Sequence, residues 1–330
     1  MEKIILKKNT DILIVGAGII GLSLALELHA RGAQVTVFEQ DTALAHASTA
    51  AAGMLASEDP HNPPALHPLS HLSTSLYPGF LDRIEKLSGL SVPFQTSVTH
   101  QYLDDGSATT LDEHSIDPRQ LAAALIAAVR ATSINLRENT VFTSGEHLPA
   151  NNTIYTTGAW ASSHQYATIK LPIKPAKGQM LRVQLPTGFP LHEVHRSEHV
   201  YIVPRTQGPQ AGTALIGATV EDAGFDTTTN IADLDALRAA AAKLLPQFAS
   251  PTTASMVEAW AGLRPATPDQ LPLLGHLGET SDFIATGHFR NGILLAPATA
   301  VVLADLIESK TPTVGLAPFD PTRFSSTIER

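Results

Sequence analysis

The chain has 330 residues and no cysteine. This excludes disulfides, thiolate zinc sites, a cysteine nucleophile and attachment of a flavin through a thioether. It is compatible with a reducing compartment, and we expect the cytoplasm. Charge is sparse at 16% of residues against 43% apolar ones, so a sizeable core can be buried and global disorder is excluded. The net charge of −9 comes without any basic run, so the electrostatic footprint of a nucleic-acid binder is missing. A membrane span is not expected either, because the apolar stretch Ile12 to Leu26 is short for one. Following three lysines, it has the look of a signal peptide, but its three glycines have a better explanation. Internal repeats and low-complexity tracts are absent.

The length suits two domains or one large α/β unit. Residues 11–15 (DILIV) read as a buried strand, 19–31 as a helix with Leu22, Leu24, Ala25 and Leu28 at its apolar positions, and 34–39 (QVTVFE) as a second strand. Such a βαβ start implies a parallel sheet. A Pro- and His-rich loop is expected over 57–71 and a helix over 72–88. Another helix starts after Asp117 as N-cap and Pro118 in the first turn, and 153–158 (TIYTTG) reads as a further strand. From 171 the character changes: HVYIVPR (199–205) and ALIGATV (214–220) alternate as antiparallel strands do. An Ala/Leu-rich helix over 233–245 and an apolar helix over 292–308 complete the reading.

Gly16, Gly18 and Gly21 form G-x-G-x-x-G between the first strand and helix. The first glycine permits the tight turn, the second lets a pyrophosphate approach the backbone, and the third lets helix and strand pack closely. The helix N-terminus then faces the phosphates with unpaired N–H groups. Glu39, at the end of the second strand, can accept both ribose hydroxyls and would repel a 2′-phosphate. These features indicate a dinucleotide and leave FAD and NAD both open.

Three further segments decide between them: ASTAAAGML (47–55), WAGLRPATPDQLPLLG (260–275) and TGHFRNGILLAPATA (286–300). With the fingerprint, they resemble the D-amino acid oxidase superfamily of flavoproteins, and most closely its glycine oxidase branch, the enzymes linked to thiamine biosynthesis. The resemblance is dense over 11–60 and 195–308 and thin over 90–112. It implies a Rossmann-like FAD-binding domain (1–80, 112–170 and 262–330) and a mostly antiparallel-sheet substrate domain (81–111 and 171–261). It further implies FAD contacts at Ser48, Ala52, Gly53, Gly158, Gly287, His288, Asn291, Gly292 and Ile293. A helix starting near Gly292 would aim its N-terminus at the negative charge of reduced flavin. In some relatives a histidine before the small-residue run carries the flavin; Ala50 occupies that region here and His46 lies further back, so FAD is expected to be non-covalent.

An amino-acid substrate needs its carboxylate fixed, and the planar fork of arginine does this with two parallel bonds. By the resemblance, Arg290 is the main clamp, Arg264 supports it, Tyr201 donates its hydroxyl to the carboxylate, and His199 tunes the pocket. Period-2 alternation puts His199, Tyr201 and Val203 on one face. Val220, after GAT, falls where relatives carry a side chain that bounds the pocket. The implied reaction is oxidative deamination of glycine or another small amine or amino acid. The α-hydrogen leaves as hydride to the flavin, and dioxygen, the second substrate, yields hydrogen peroxide. A dehydrogenase passing electrons to a quinone or carrier would use the same residues, and a flavin-holding binding or assembly component without catalysis is the alternative of another class. Relatives are often tetramers, which leaves a homo-oligomer open.

Two signals are set aside. Pro68 after His67 argues against a helix aligning His67 and His71 as a metal pair with His61 nearby. Asp104-Asp105-Gly106 reads as a turn, since the remaining calcium-ligand spacing is missing. The chain is short for the family around 95–112 and 143–153.

Overall fold

Ile12–Val15 and Val35–Phe38 are buried at every position, as strands covered on both faces must be. The computed structural model describes residues 11–143, 150–163, 171–278 and 280–327, so the expected shortening near 143–153 lies partly outside them. In chain order the first strands are β1 (Ile12–Val15), β2 (Val35–Phe38), β3 (Phe94–Thr96), β4 (Thr99–Tyr102), β5 (Ala108–Leu111), β6 (Ser115–Ile116), β7 (Asn135–Arg137) and β8 (Asn152–Tyr155). Then come β9 (Lys174–Gln184), β10 (Val194–Arg196), β11 (Tyr201–Arg205), β12 (Thr213–Gly217), β13 (Met256–Ala266), β14 (Leu273–His276) and β15 (Phe283–Thr286). The α-helices are α1 (Ile19–Ala30), α2 (Ala47–Ala50), α3 (His67–Ser88), α4 (Pro118–Arg130), α5 (Ile231–Leu244) and α6 (Gly292–Ile307).

The first sheet has the order β14-β15-β8-β1-β2-β7, parallel except for the edge strand β14. Helices α1, α3, α4 and α6 bury their apolar faces with it in one core cluster. The stretch Ile12 to Leu26 is thus the interior strand and helix of this core. Helix α4 starts as its sequence demands: the Asp117 side chain accepts from the Arg119 N–H, a cap of about 1 kcal/mol. Residues Phe289–Ile307 are long and apolar enough to cross a membrane, but 67% of that window is buried, with α6 packed on α1 and α3. Pro297 inside α6 has no N–H for the Ile293 carbonyl; the buried Tyr77 hydroxyl donates to that carbonyl at 2.5 Å, and Ser73 to the Leu294 carbonyl.

The second sheet has the order β13-β9-β12-β11-β10-β4-β5 and is antiparallel apart from the β4–β10 pair. One face packs on α5, and the other turns towards Ala52 and Met54. The thinly matching region 90–112 supplies β3 and the edge hairpin β4–β5, whose turn holds Asp104 and Asp105.

Two expectations are corrected. Helix α3 begins at His67, because proline is tolerated in the first turn, where its missing N–H has no intrahelical partner anyway. His67 and His71 therefore do share a face, with ring centroids 6.1 Å apart. The strand expected over 199–205 begins at Tyr201. Residue 262, from which the FAD-binding domain is expected to resume, lies within β13, which pairs with β9 along its length.

Candidate cofactor and substrate site

The strands β1, β2, β8 and β15 run parallel, and Gly16, Glu39, Thr156 and Thr286, at their carboxyl ends, all line one elongated cavity. Clefts of α/β sheets bind ligands at such ends. Gly16 has φ +106°, and a Cβ on it would stand 2.6 Å from the Thr156 carbonyl oxygen. A Cβ on Gly21 would stand 2.1 Å from the Gly16 carbonyl oxygen. Gly21 does not line the cavity; it lets α1 pack against the turn. Glu39 accepts from the Ala17 N–H at 2.7 Å and the Asp41 N–H at 3.0 Å. These bonds fix the carboxylate at the cavity wall and leave lone pairs for further donors. Gly18 also lines the cavity, and Ser48 Oγ accepts from the Ile19 N–H at 3.0 Å, so Ser48 caps α1 where it meets the cavity.

The small-residue loop is pinned from both sides. Gly53, at φ +87°, packs so that a Cβ would lie 2.1 Å from the Ile116 carbonyl oxygen. Its glycine is needed for contact with β6 as well as for room in the cavity. Arg205, fully buried, donates to the Ala52 carbonyl at 2.8 Å, and Trp260 Nε1 donates to the Ala50 carbonyl at 3.0 Å. Burial pushes the Arg205 pKa down to about 10 against the opposing Asp117 carboxylate, so the guanidinium stays charged at neutral pH.

At the other end, Tyr201, Arg264 and Arg290 line the cavity together with Asp59 and Met180. Tyr201 has room because its cross-strand neighbour is Gly217, where a Cβ would stand 2.7 Å from the tyrosine oxygen. Arg264 lies over Gly178, where a Cβ would stand 2.3 Å from its Nη atoms, and Nη1 donates to the Thr219 carbonyl at 3.1 Å. Burial raises the Tyr201 pKa while Arg264 and Arg290 work to lower it; the net is upward, so the hydroxyl keeps its proton.

Arg290 Nη2 donates to Asp59 Oδ2 at 2.7 Å. Burial works to raise the Asp59 pKa, but Arg196, Arg290 and the His61 hydrogen bonds outweigh it and hold the carboxyl below its usual range. Behind it, buried Arg196 pairs with Glu113 at 3.0 Å.

His288, Asn291, Gly292 and Ile293 line the cavity where α6 begins. Phe289 turns the chain there at φ +46°, uncommon for a bulky residue and a mark of a constrained site. Asn291 makes no side-chain cap bond to α6, whose first residues Gly292 and Ile293 lie at the cavity wall. His288 is buried against Thr299 Oγ1 at 3.1 Å, and burial pushes its pKa down to about 3, leaving the ring neutral.

Of the residues singled out from sequence, Gly16, Gly18, Glu39, Ser48, Ala52, Gly53, Gly158, His288, Asn291, Gly292, Ile293, Tyr201, Arg264 and Arg290 line this cavity. Gly287 does not; its Cβ direction meets Thr267, so it serves packing. His199 is exposed in the turn before β11, where strand alternation no longer applies, and lies outside the cavity. Val220 is 66% exposed and does not bound it. Sequence reasoning missed Asp59, Met180, Trp160 and Arg205. For Met180 the signal was there, since Gly178 and Met180 alternate along β9; the other three come from chain crossings no local pattern reveals.

The sequence pattern of the family described as DAO, FAD dependent oxidoreductase, matches residues 11–114 and 99–306. The chain belongs to this family. Glycine oxidase of Geobacillus kaustophilus is 30% identical to it over 95% of this chain and 97% of its own. The crystal structure of glycine oxidase from Geobacillus kaustophilus superposes with a TM-score of 0.86 at 28% identity, covering 95% of this chain and 98% of that one. The bifunctional protein ThiO/ThiG of Trichormus variabilis is 34% identical over 95% of this chain but only 55% of its own length, so the chain spans about half of such bifunctional relatives. The DAO family uses FAD, and the site fits it: turn glycines no Cβ could replace, a fixed carboxylate at Glu39 and the first residues of α6 all line one cavity.

Proposed function

We propose that the chain catalyses oxidative deamination of glycine or another small amino acid, consuming dioxygen and water and releasing the oxo acid, ammonia and hydrogen peroxide. The observation that carries this reading is the meeting of Tyr201, Arg264 and Arg290 at one end of the cavity whose other end holds the dinucleotide fingerprint. FAD, held without a covalent bond, supplies the two-electron acceptor. Arg290, with one Nη2 hydrogen on Asp59, keeps the other Nη2 hydrogen to form, with a neighbouring N–H, the fork that receives the substrate carboxylate. Arg264 adds a second positive charge, and the Tyr201 hydroxyl, kept protonated by burial, donates to the same group. The α-carbon is thereby oriented, and orientation with charge stabilisation carries the catalysis. The same reading places the enzyme in the cytoplasm and in thiamine biosynthesis.

The test is an anaerobic visible spectrum of the purified protein before and after glycine. Bleaching of the flavin band, with recovery and peroxide formation on admitting air, supports an oxidase. Bleaching without recovery in air turns the reading to a dehydrogenase. A yellow protein bleached by none of glycine, D-alanine, sarcosine and D-proline overturns it. Acid precipitation should release the flavin into the supernatant; yellow colour left on the denatured chain would refute non-covalent binding.

A further inference from the structure

The face of the second sheet turned away from the cavity carries a cluster that the oxidation chemistry does not use. His100 on β4 and His195 on β10 are register partners, Tyr102 follows His100 by two residues, and Glu193 precedes His195 by two. Alternation puts His100, Tyr102 and His195 on one side, and Glu193, in the bend just before β10, reaches His100 there. The cross-strand partner of His195 is Ile202, which belongs to the apolar cluster packed on α5; that of the next residue, Arg196, is Tyr201, which lines the cavity. The two sites thus occupy opposite faces.

The ligand atoms of His100, Glu193 and His195 all lie within 4.8 Å of one another, and His100 Nε2 stands 2.6 Å from Glu193 Oε2. Both imidazoles meet a hydroxyl at Nδ1. The Tyr102 hydroxyl is 2.8 Å from His195 Nδ1, and Thr110 Oγ1 is 3.4 Å from His100 Nδ1. Where the hydroxyl accepts the Nδ1 proton, Nε2 is the nitrogen left to bind a metal, the outer-shell arrangement found around metal-bound histidines; at His100 the ion would replace the Nε2 hydrogen bond to Glu193. The His195 ring is buried beside that of His100, with centroids 5.0 Å apart.

We propose that His100, Glu193 and His195 form a site for a divalent transition ion of the Zn2+ type, with water completing its shell. Two imidazoles and a carboxylate suit such an ion and do not suit Ca2+ or Mg2+. With metal–ligand distances of about 2.0–2.1 Å in a tetrahedral shell, donor atoms stand roughly 3.4 Å apart. The His100–Glu193 contact must therefore open slightly as the ion enters. The bound ion would clasp the edge hairpin β4–β5 to β10. A second group, Asp104, Glu198 and His199, is fully exposed and serves as the control.

The experiment is calorimetric titration of chelator-treated holoenzyme with Zn2+, with the thermal midpoint followed in parallel. One site is expected, with affinity reduced at least tenfold in Glu193→Gln and in His100→Ala, unchanged in His199→Ala, and a Zn2+-dependent rise in Tm that Glu193→Gln loses. Glu193 is half-exposed, so Glu193→Gln leaves the fold intact. No Zn2+ binding, equal binding in Glu193→Gln, or a loss confined to His199→Ala would each overturn the proposal. Oxidation of glycine is not part of the readout, so failure here leaves the proposed function standing.

Discussion

Arg290 and Asp59 are 231 residues apart in sequence and share a 2.7 Å hydrogen bond between Nη2 and Oδ2. The carboxylate is 4% exposed and the guanidinium 36%. A buried acid therefore orients a partly exposed guanidinium at the cavity wall. Asp59→Asn keeps the shape and removes the charge. We expect kcat/KM for glycine to fall about tenfold, worth about 1.4 kcal/mol, through KM, with the flavin spectrum unchanged. Steady-state kinetics decide it; an unaltered KM would reduce Asp59 to a packing partner.

The clamp itself is tested by Arg290→Ala and Arg290→Lys. A hydrogen bond to a charged group contributes about 1.5–3 kcal/mol, so Arg290→Ala should raise KM at least tenfold while FAD stays bound. Arg290→Lys retains the charge without the fork and should fall between wild type and alanine. Unchanged glycine kinetics in both variants would transfer the clamp to Arg264.

Two glycines should respond in opposite ways to alanine. At Gly53 the φ of +87° alone costs about 1–2 kcal/mol for a residue with a Cβ, and the contact with the Ile116 carbonyl adds to it. Gly53→Ala should lower Tm and weaken FAD retention. Gly79 sits inside α3 with nothing within 4 Å of its Cβ direction, so Gly79→Ala should gain about 0.5–1 kcal/mol. Thermal melts of both variants with flavin fluorescence as readout check the pair.

Acid should destabilise the protein earlier than its carboxylates require. In the unfolded chain His288 takes up a proton near pH 6.5, and in the folded one only near 3. Between those values the unfolded state binds more protons, so stability falls as pH drops below 6.5. His195 acts in the same direction down to about 4. Tm measured from pH 7 to 4.5 should decline steadily, and His288→Asn should flatten the decline. An identical slope in the variant would dismiss His288 as its source.

The sequence was most informative where function depends on backbone conformation and local periodicity. The G-x-G-x-x-G turn needs glycine for steric reasons that hold in any surroundings, and β1, α1 and β2 follow from apolar spacing over short windows. The same holds for α4, whose Asp117 cap and Pro118 are adjacent in the chain. Arg264, Arg290 and Tyr201 were reached only through the resemblance of the segments that contain them to the family; spacing alone does not single them out.

What no local pattern contains is the crossing of distant strands and loops. Asp59 comes from a loop with no period, and its role exists only because α6 brings Arg290 to it. Arg205 was legible as part of an alternating strand, yet its grip on the Ala52 carbonyl is set by how the second sheet sits against the small-residue loop. His199 fails for the complementary reason: alternation predicts a face only while the chain remains a strand, and the turn before Tyr201 releases it to solvent. The sequence thus determined the cofactor turn, the helices and the residue types of the site. The tertiary structure decided which side chains meet, since side-chain contacts across 231 residues depend on packing of whole elements and on no property of either segment alone.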